Sequence, residues 1–525
     1  MARGKEKGHK TSTYCFPLAS VRAELMRDLV AAAIKFGVAE VASALETMAF
    51  EGPYRPTHLL GENRFLVPTG ELPIVGVCVA LDPREANYLA ALSPRGELKN
   101  SFAIPAGKQV TDPDMREKVL SFLITARPAA VVVGTAGGLT SRLLSRKLGD
   151  IVNEATEKWN NRYLQGEDED DEEYDARRRD FEERYGLSQH DDEAEDENEL
   201  WKCNVGLVDD NVAQLFGRSV RGKKEFSDAA VNLKCAVATA RHAQDPLAEL
   251  CYAWSVASDT GNFGAEMLFL NVHPLQQLVP KTALLRAYER VLCHAVAEVG
   301  VDVNAACTFD HVHGLLQFVP GFGPRKAASL KQNVARVGGS VPSRKYLLAK
   351  RLLGPLVYNN SAAFLRIREC EQLAGRHIHP LDDTRLHPDV YIRNTWALKI
   401  AVDALEEHVS GADEEELYIR AVRDVMLDSR KQVVSLFNAT RKQWENMYGP
   451  TFSIAGWDPH GLPADAWQDK VEELDLDTFA EMIEDSGVGK WLSHLIMIKW
   501  EFRLPFEDPR KPVRKLGRSL LRWLG

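Results

Sequence analysis

The sequence predicts a multidomain protein in which an α/β unit is followed by a mostly helical half, and three observations carry that reading. Up to about residue 255, apolar β-branched runs alternate with helical patterns, the signature of a layered fold with a mixed sheet. From Thr282 onward the strand signal nearly vanishes and apolar residues recur at helical spacing. The 525 residues suffice for about three to five domains. With 45% hydrophobic and 27% charged residues and a mean hydropathy of −0.26, the chain can bury ordinary cores.

Taken in order, residues 18–50 hold apolar residues at helical spacing without a proline, and the Gly-Pro at 52 and 53 stops that helix. The run from Glu71 to Pro105 gives an apolar strand, an Asp-Pro-Arg turn, a second strand over Tyr88–Leu92, a Pro-Arg-Gly-Glu turn and a third strand. That is the start of a β-meander. A helix over Asp114–Thr125 leads to the buried strand Ala-Ala-Val-Val-Val-Gly ending at Gly134, and residues 139–163 read as helix. Beyond an acidic insertion the strand Cys203–Asp210 follows. Residues 226–255 then form two helices broken at Asp245-Pro246. In the second half, Leu285, Val291, Leu292, Ala295, Val296 and Val299 mark a helix ending at Gly300. Shorter helices run to residue 370, and longer helical regions cover about 388–449 and 465–502. No repeat at a solenoid period occurs.

Several classes are set aside by composition. No run of ~18 uncharged apolar residues suggests a membrane span, and the basic first line lacks the apolar stretch of a secretory signal. The eight cysteines, Cys15, Cys78, Cys203, Cys235, Cys251, Cys293, Cys307 and Cys370, form no C-x-x-C pair. Neither a disulfide framework nor a zinc ribbon is indicated, and a reducing compartment fits best. The net charge of −10 is concentrated in residues 167–199, where 18 Asp/Glu face four Arg, leaving +4 for the rest. Such composition reads as a solvated, disordered surface insertion; the alternative is an acidic arm for basic partners such as histone tails.

The most specific local motif is Val319-Pro320-Gly321-Phe322-Gly323-Pro324-Arg325-Lys326-Ala327 between two helical stretches. Gly321 and Gly323 permit a tight hairpin that Phe322 anchors to the core. The next helix opens with Arg325 and Lys326 and carries Lys331 further along. Amides at a helix start plus two cations form a phosphate site that holds nucleic-acid backbone without reading bases. The same hairpin can equally act as a packing joint. A second candidate, Leu353-Gly354-Pro355-Leu356-Val357, lacks the second glycine and an adjacent base and reads as structural.

A second constellation is acidic. Asp82 after the first strand and Asp245 at a helix start are placed as carboxylates that converge on Mg²⁺ in an RNase H-like nuclease. The middle strand, however, ends at Gly134 and Thr135 where an acid is wanted, and Asp209 and Asp210 read first as turn or cap residues. His311 and His313, beside Asp310 and Cys307, lack a second ligand cluster and read as surface-loop histidines rather than a metal site. No phosphate-binding G-x-x-x-x-G-K-[ST] loop is present.

Six blocks in this order carry a family resemblance: 271–280 (NVHPLQQLVP), 299–306 (VGVDVNAA), 315–330 (LLQFVPGFGPRKAASL), 343–348 (SRKYLL), 359–369 (NNSAAFLRIRE) and 381–391 (LDDTRLHPDVY). Together they resemble the core of the Suppressor of Ty six family of eukaryotic transcription elongation factors and histone chaperones and, more distantly, its bacterial relative Tex. The resemblance implies an N-terminal helical segment (1–69), a YqgF/RuvC-like (RNase H-like) mixed-sheet domain (70–262) with the acidic insertion at 166–199, a helix-hairpin-helix domain (270–372), a death-like helical domain (378–503) and a basic linker or truncated C-terminus (504–525). It further implies that Asp82, Gly134 and Asp245 occupy degenerate nuclease positions, that the chain is no enzyme and needs no cofactor or metal, and that Gly321, Phe322, Gly323, Arg325, Lys326 and Lys331 serve nucleic-acid binding. The implied partners are DNA, nucleosomal histones and the RNA polymerase II elongation complex, with RNA as a further candidate, without a membrane, in the nucleus. Against the family pattern, the long acidic N-terminal region and the C-terminal S-one and tandem Src-homology-two domains are lacking, as expected of a fragment. The alternatives are a metal-dependent nuclease using Asp82, Asp245 and Asp209 or Asp210, and a Tex-like RNA-binding factor.

Overall fold

In a computed structural model, the apolar runs of the first half form one five-stranded sheet. The structure describes residues 18–54, 72–161, 171–185, 200–254, 265–368, 370, 373–375, 378–405, 414–448, 462, 466–472, 477–485 and 491–512. The chain opens with α1 (Leu18–Ala49) and a two-residue strand, β1 (Glu51–Gly52). The meander is β2 (Ile74–Cys78), β3 (Asn87–Leu92) and β4 (Leu98–Ile104); α2 (Pro113–Ala126), β5 (Ala130–Gly134), α3 (Leu139–Asn161), α4 (Asp171–Tyr185) and β6 (Asn204–Val208) follow. The strand order is β4-β3-β2-β5-β6. The hairpins β2–β3 and β3–β4 are antiparallel, while β5 and β6 run parallel to β2.

Strands β2 and β5 are buried along their whole length because both faces of the sheet are covered. The period of two sorts them: Val75, Val77, Val131 and Val133 face the core built with α2 and α3, whereas Ile74, Cys78, Ala130 and Val132 face α7 (Val231–Gln244). That helix lies so close that a Cβ on Gly76 would stand 2.1 Å from the Ala236 carbonyl oxygen. No other residue fits at position 76. Between β6 and α7 stand α5 (Asn211–Arg218) and α6 (Val220–Glu225), and α8 (Pro246–Tyr252) follows the Asp245-Pro246 break.

The acidic insertion is the first correction. Its residues 171–185 form α4, which docks on the α/β layer through Phe181, packed edge-on to Trp159 at 6.2 Å, and Tyr185, 4.7 Å from the Phe181 ring. The two aromatics lie four residues apart on one helix face, and they supply the apolar burial that the acidic composition seemed to preclude. The remainder of the insertion lies outside the described residues. Phe181→Ala is expected to cost about 3 kcal/mol of docking energy and to expose α4 to limited proteolysis while the sheet stays folded; equal cleavage of both proteins would refute the docking.

The second half begins with α9 (Lys281–Val299), packed on the buried end of α1 at Val41, Leu45 and Ala49. It continues through β7 (Val301–Asp302), α10 (Val303–Thr308), α11 (Asp310–His313), α12 (Pro324–Arg336), α13 (Arg344–Ala349), α14 (Pro355–Ser361) and β8 (Leu365–Arg366). Asp302 caps α10 by accepting from the Asn304 and Ala305 amides at 2.9 and 3.4 Å. A third core gathers α15 (Trp396–Ala404), α16 (Glu414–Tyr448), α17 (Asp477–Asp485) and α18 (Trp491–Arg503) around Leu398, Val425, Ile483 and Phe502. The fold is thus a mixed-sheet α/β unit joined to an all-α half.

Residues 504–512, expected as linker, are the second correction. They form a strap in which Leu504 and Phe506 are buried, Arg385 donates to the Glu507 carbonyl, and Arg510 bonds Asp245 and Asp508. The strap ends in β9 (Lys511–Pro512), paired in parallel with β1. Residues 513–525 lie outside the described residues. Among the described residues no helix is long and apolar enough to cross a membrane.

Candidate nucleic-acid interface

The Gly-Phe-Gly motif turns the chain between the one-turn helices over Asp310–Phe318 and α12. Gly321 (φ 86°) and Gly323 (φ 131°) both take backbone angles that a side chain would strain. The turn closes by Phe322 N–H to the Val319 carbonyl at 2.9 Å and Ala327 N–H to the Gly323 carbonyl at 3.0 Å. Phe322 is half-buried against the core beneath. Pro324 opens α12 without an N–H to satisfy, so the Arg325 and Lys326 amides stand at the helix start with no intrahelical acceptor. Both side chains are exposed, and Lys326 folds back to donate to the Gly321 carbonyl at 2.8 Å. Lys331 is committed elsewhere, to Asp310 at 2.6 Å.

The helix that follows the second hairpin, α14, packs against the first hairpin: a Cβ on Gly321 would lie 3.2 Å from Asn360 Cβ. The turn of the second hairpin, between α13 and α14, is built by the Leu352 and Leu353 amides donating to the Leu347 carbonyl and by Arg351 at φ 53°. Lys350 and Arg351 are exposed there. These two cations escaped the sequence reading, which looked for a base after the glycine; the signal was the Lys-Arg pair three residues before Gly354. The two hairpins thus expose one cation pair each, Arg325 with Lys326 and Lys350 with Arg351, groups of the kind that contact phosphate.

The carboxylates of the sheet do not converge. Asp82 is exposed in the turn after β2, accepting from the Arg84 amide at 2.9 Å. Asp245 sits at the far end of α7. The first turn of α7 lies beside that same β2–β3 turn, where Asn232 donates to Glu85, whereas Gln244 at its end donates to the Leu72 carbonyl before β2. The 14 residues of α7 hold the two ends roughly 20 Å apart at ~1.5 Å per residue. Asp245 instead caps α8 through the Ala248 amide and receives Arg510 at 2.7 Å.

At Gly134, the neighbour is Asp210, 3% exposed, whose carboxylate would be 2.5 Å from a Cβ there. It accepts from the Ala136 amide at 2.8 Å and from Gln214 at 3.1 Å, and burial raises its pKa. Asp209 is exposed and bonds the Asn211 amide. Among the described residues no three His, Cys, Asp or Glu side chains gather as metal ligands would.

The histidines are a third correction. His311 and His313 belong to α11, not to a surface loop. His311 is 7% exposed, and burial, with Arg241 adding to it, pushes its pKa down to about 3. His313 pairs its Nδ1 with the Ala306 carbonyl at 3.1 Å.

Sequence comparisons give the class first: residues 265–368 match the family model described as a helix-hairpin-helix motif, the segment that holds both hairpins. The relatives then narrow it. The chain is 29% identical over 322 residues to the Suppressor of Ty 6 homolog of Caenorhabditis briggsae, covering 61% of the chain and 18% of that protein. It is 34% identical over 320 residues to transcription elongation factor spt6 of Emericella nidulans, covering 60% and 19%. To transcription elongation factor spt6 of Aspergillus fumigatus it is 32% identical over 419 residues, covering 79% and 24%. The resemblance to the Suppressor of Ty six family read from the six blocks therefore holds, and the matched stretch spans about a fifth of the length of these relatives.

Proposed function

We propose that this chain is the core of a nuclear transcription elongation factor, a scaffold without catalysis that grips nucleic-acid backbone at its paired hairpins while RNA polymerase II transcribes through nucleosomes. The observation that carries the reading is the presence of two hairpins, each with an exposed pair of cations, on one segment that matches a helix-hairpin-helix family model. The names of the relatives, transcription elongation factors, supply the process. A YqgF/RuvC-like origin for residues 70–262 and a death-like assignment for 378–503 accord with the mixed sheet and the separate helical core. The scattered carboxylates favour binding over cleavage. Histone contact is assigned to the acidic insertion, with α4 holding its base against the α/β domain.

The test is binding of the purified chain to duplex DNA and to single-stranded RNA over a salt series, with and without core histones. Affinity for several unrelated DNA sequences should be equal within a few-fold and fall linearly in log–log form with salt. Mg²⁺-dependent cleavage abolished by Asp82→Asn would instead establish the nuclease.

A further inference from the structure

Two thiols meet between the sheet and α7. Cys78, the last residue of β2, is 1% exposed, and Cys235, in the second turn of α7, is fully buried. Gly76 sets their separation: with no Cβ there, α7 settles on β2 at Ala236 and Ala240. Cys78 stands two residues along the same face of the strand, and Cys235 directly precedes Ala236, so two short side chains span the remaining gap. Gln214 of α5 joins them, its Nε2 donating to Cys78 Sγ at 3.9 Å and its Oε1 accepting from Cys235 Sγ at 3.8 Å. The same Oε1 accepts from the exposed Arg218 at 2.7 Å.

The two sulfurs also bond each other, the Cys78 thiol donating to Cys235. That bond raises the pKa of Cys78 and draws that of Cys235 below the ordinary thiol value, against the effect of burial and with the Arg218 guanidinium adding to it. Burial drives Cys203, Cys251, Cys293 and Cys307 the other way. The thiolate is the reactive form, and a raised pKa marks an inert structural cysteine. Cys235 thus has the character of an attacking sulfur, and Cys78 that of the neighbouring thiol that resolves its oxidised product.

We infer that Cys78 and Cys235 are an oxidative modification site, at which a peroxide converts the two thiols into a reversible disulfide that clamps β2 to α7. The Cys235 thiolate attacks one peroxide oxygen; the O–O bond breaks, the other oxygen leaves as hydroxide, and Cys235 becomes a sulfenic acid. Cys78 then loses its proton and attacks the Cys235 sulfur, so that the S–S bond forms, the S–O bond breaks and water leaves. In sum, two thiols and one hydrogen peroxide give one disulfide and two waters. The cover over the pair is α5, where a Cβ on Gly217 would stand 2.4 Å from Cys235 Sγ. Local opening of α5 from α7 admits an oxidant as small as hydrogen peroxide. In a reducing compartment the pair rests as thiols. The site lies apart from the hairpins and does not depend on their role.

The probe is hydrogen peroxide on the reduced, folded full chain, followed by alkylation of the remaining thiols, digestion without reductant and peptide mass spectrometry. Wild type should yield a Cys78–Cys235 linked peptide, two hydrogens lighter than its parts, that disappears on treatment with dithiothreitol. The variants separate the two roles, once circular dichroism has shown both folded. Cys78→Ser leaves the Cys235 sulfenic acid unresolved and should take up about fivefold or more dimedone than Cys235→Ser, in which the attacking sulfur is gone. The wild-type linkage stands as a measurement without either variant. Both thiols left free after peroxide, a link that forms only in denaturant, pairing of either residue with another cysteine, or equal dimedone labelling of the two folded variants overturns the site.

Discussion

Arg344→Ala is expected to destabilise the junction between the second hairpin and the segment after it by about 3–5 kcal/mol, the range for removing one member of a buried charged network. Arg344 is fully buried at the start of α13. Its Nε donates to the Leu365 carbonyl at 2.7 Å, and its terminal nitrogens donate to the carbonyls of Leu381, Leu386 and Thr384 and to the Tyr391 hydroxyl. Tyr391 in turn donates to Asp382 at 2.6 Å, and Asp382 accepts from the Arg344 amide. Alanine would leave four carbonyls without their donor and Asp382 without its nearest buried cation, besides the volume lost. Lysine cannot repair this, because one ammonium lacks the five fixed donors of the fork. Amide exchange over residues 365–391 checks it: protection should collapse in both variants. Near-normal protection in Arg344→Lys would show that charge, not geometry, holds the junction.

Arg510→Ala should be comparably severe, again about 3–5 kcal/mol. Arg510 is buried, donates to Asp508 at 2.8 Å and to Asp245 at 2.7 Å, and these two carboxylates would be left without their counter-ion. Detachment of the strap would follow, with loss of the β1–β9 pairing. A double-mutant cycle with Asp245→Asn should return a coupling of ~1–3 kcal/mol. Additive effects would mean that the strap is held by Phe506 and its neighbours rather than by this pair.

Glu249 gives the pH dependence. Burial, opposed by Arg241 and Arg221 and reinforced by Glu225 and Asp245, pushes its pKa up to about 7 from the ordinary 4.5. A carboxyl group whose folded pKa is raised stabilises the fold fully below the unfolded value and loses that contribution as pH rises through the folded one. Stability should therefore fall between about pH 4.5 and 7, by about 3 kcal/mol at ~1.36 kcal/mol per pH unit. Glu249→Gln lacks this term, so urea melts of both proteins at pH 5 and pH 8 should show the variant gaining on wild type at the higher pH. A constant difference would contradict the assignment.

Elements whose pattern is local were legible in the sequence. The meander, the central strand of valines, α9 with its glycine stop and the Gly-Phe-Gly hairpin all follow from period, turn residues and backbone freedom. What was not legible depends on distant partners. Asp245 has the look of a catalytic carboxylate at a helix start, and only the fold brings Arg510 to it from 265 positions away. The DPRKPVRK stretch appears as a solvated linker for the same reason. Phe181 and Tyr185 carried a readable spacing of four, hidden by the surrounding acids. The burial of Glu249 without a hydrogen-bond partner depends on residues from distant parts of the chain and has no sequence pattern at all.

The most direct measurement is the salt slope of DNA binding for Arg325→Ala/Lys326→Ala and for Lys350→Ala/Arg351→Ala, each compared with wild type after circular dichroism has shown both variants folded. At ~0.9 of slope per phosphate contact in log–log form, each pair should flatten the slope by about 2, and the four substitutions together should weaken binding by more than tenfold at low salt. Unchanged slope and affinity in both pairs would contradict a phosphate grip and leave the hairpins as structural joints.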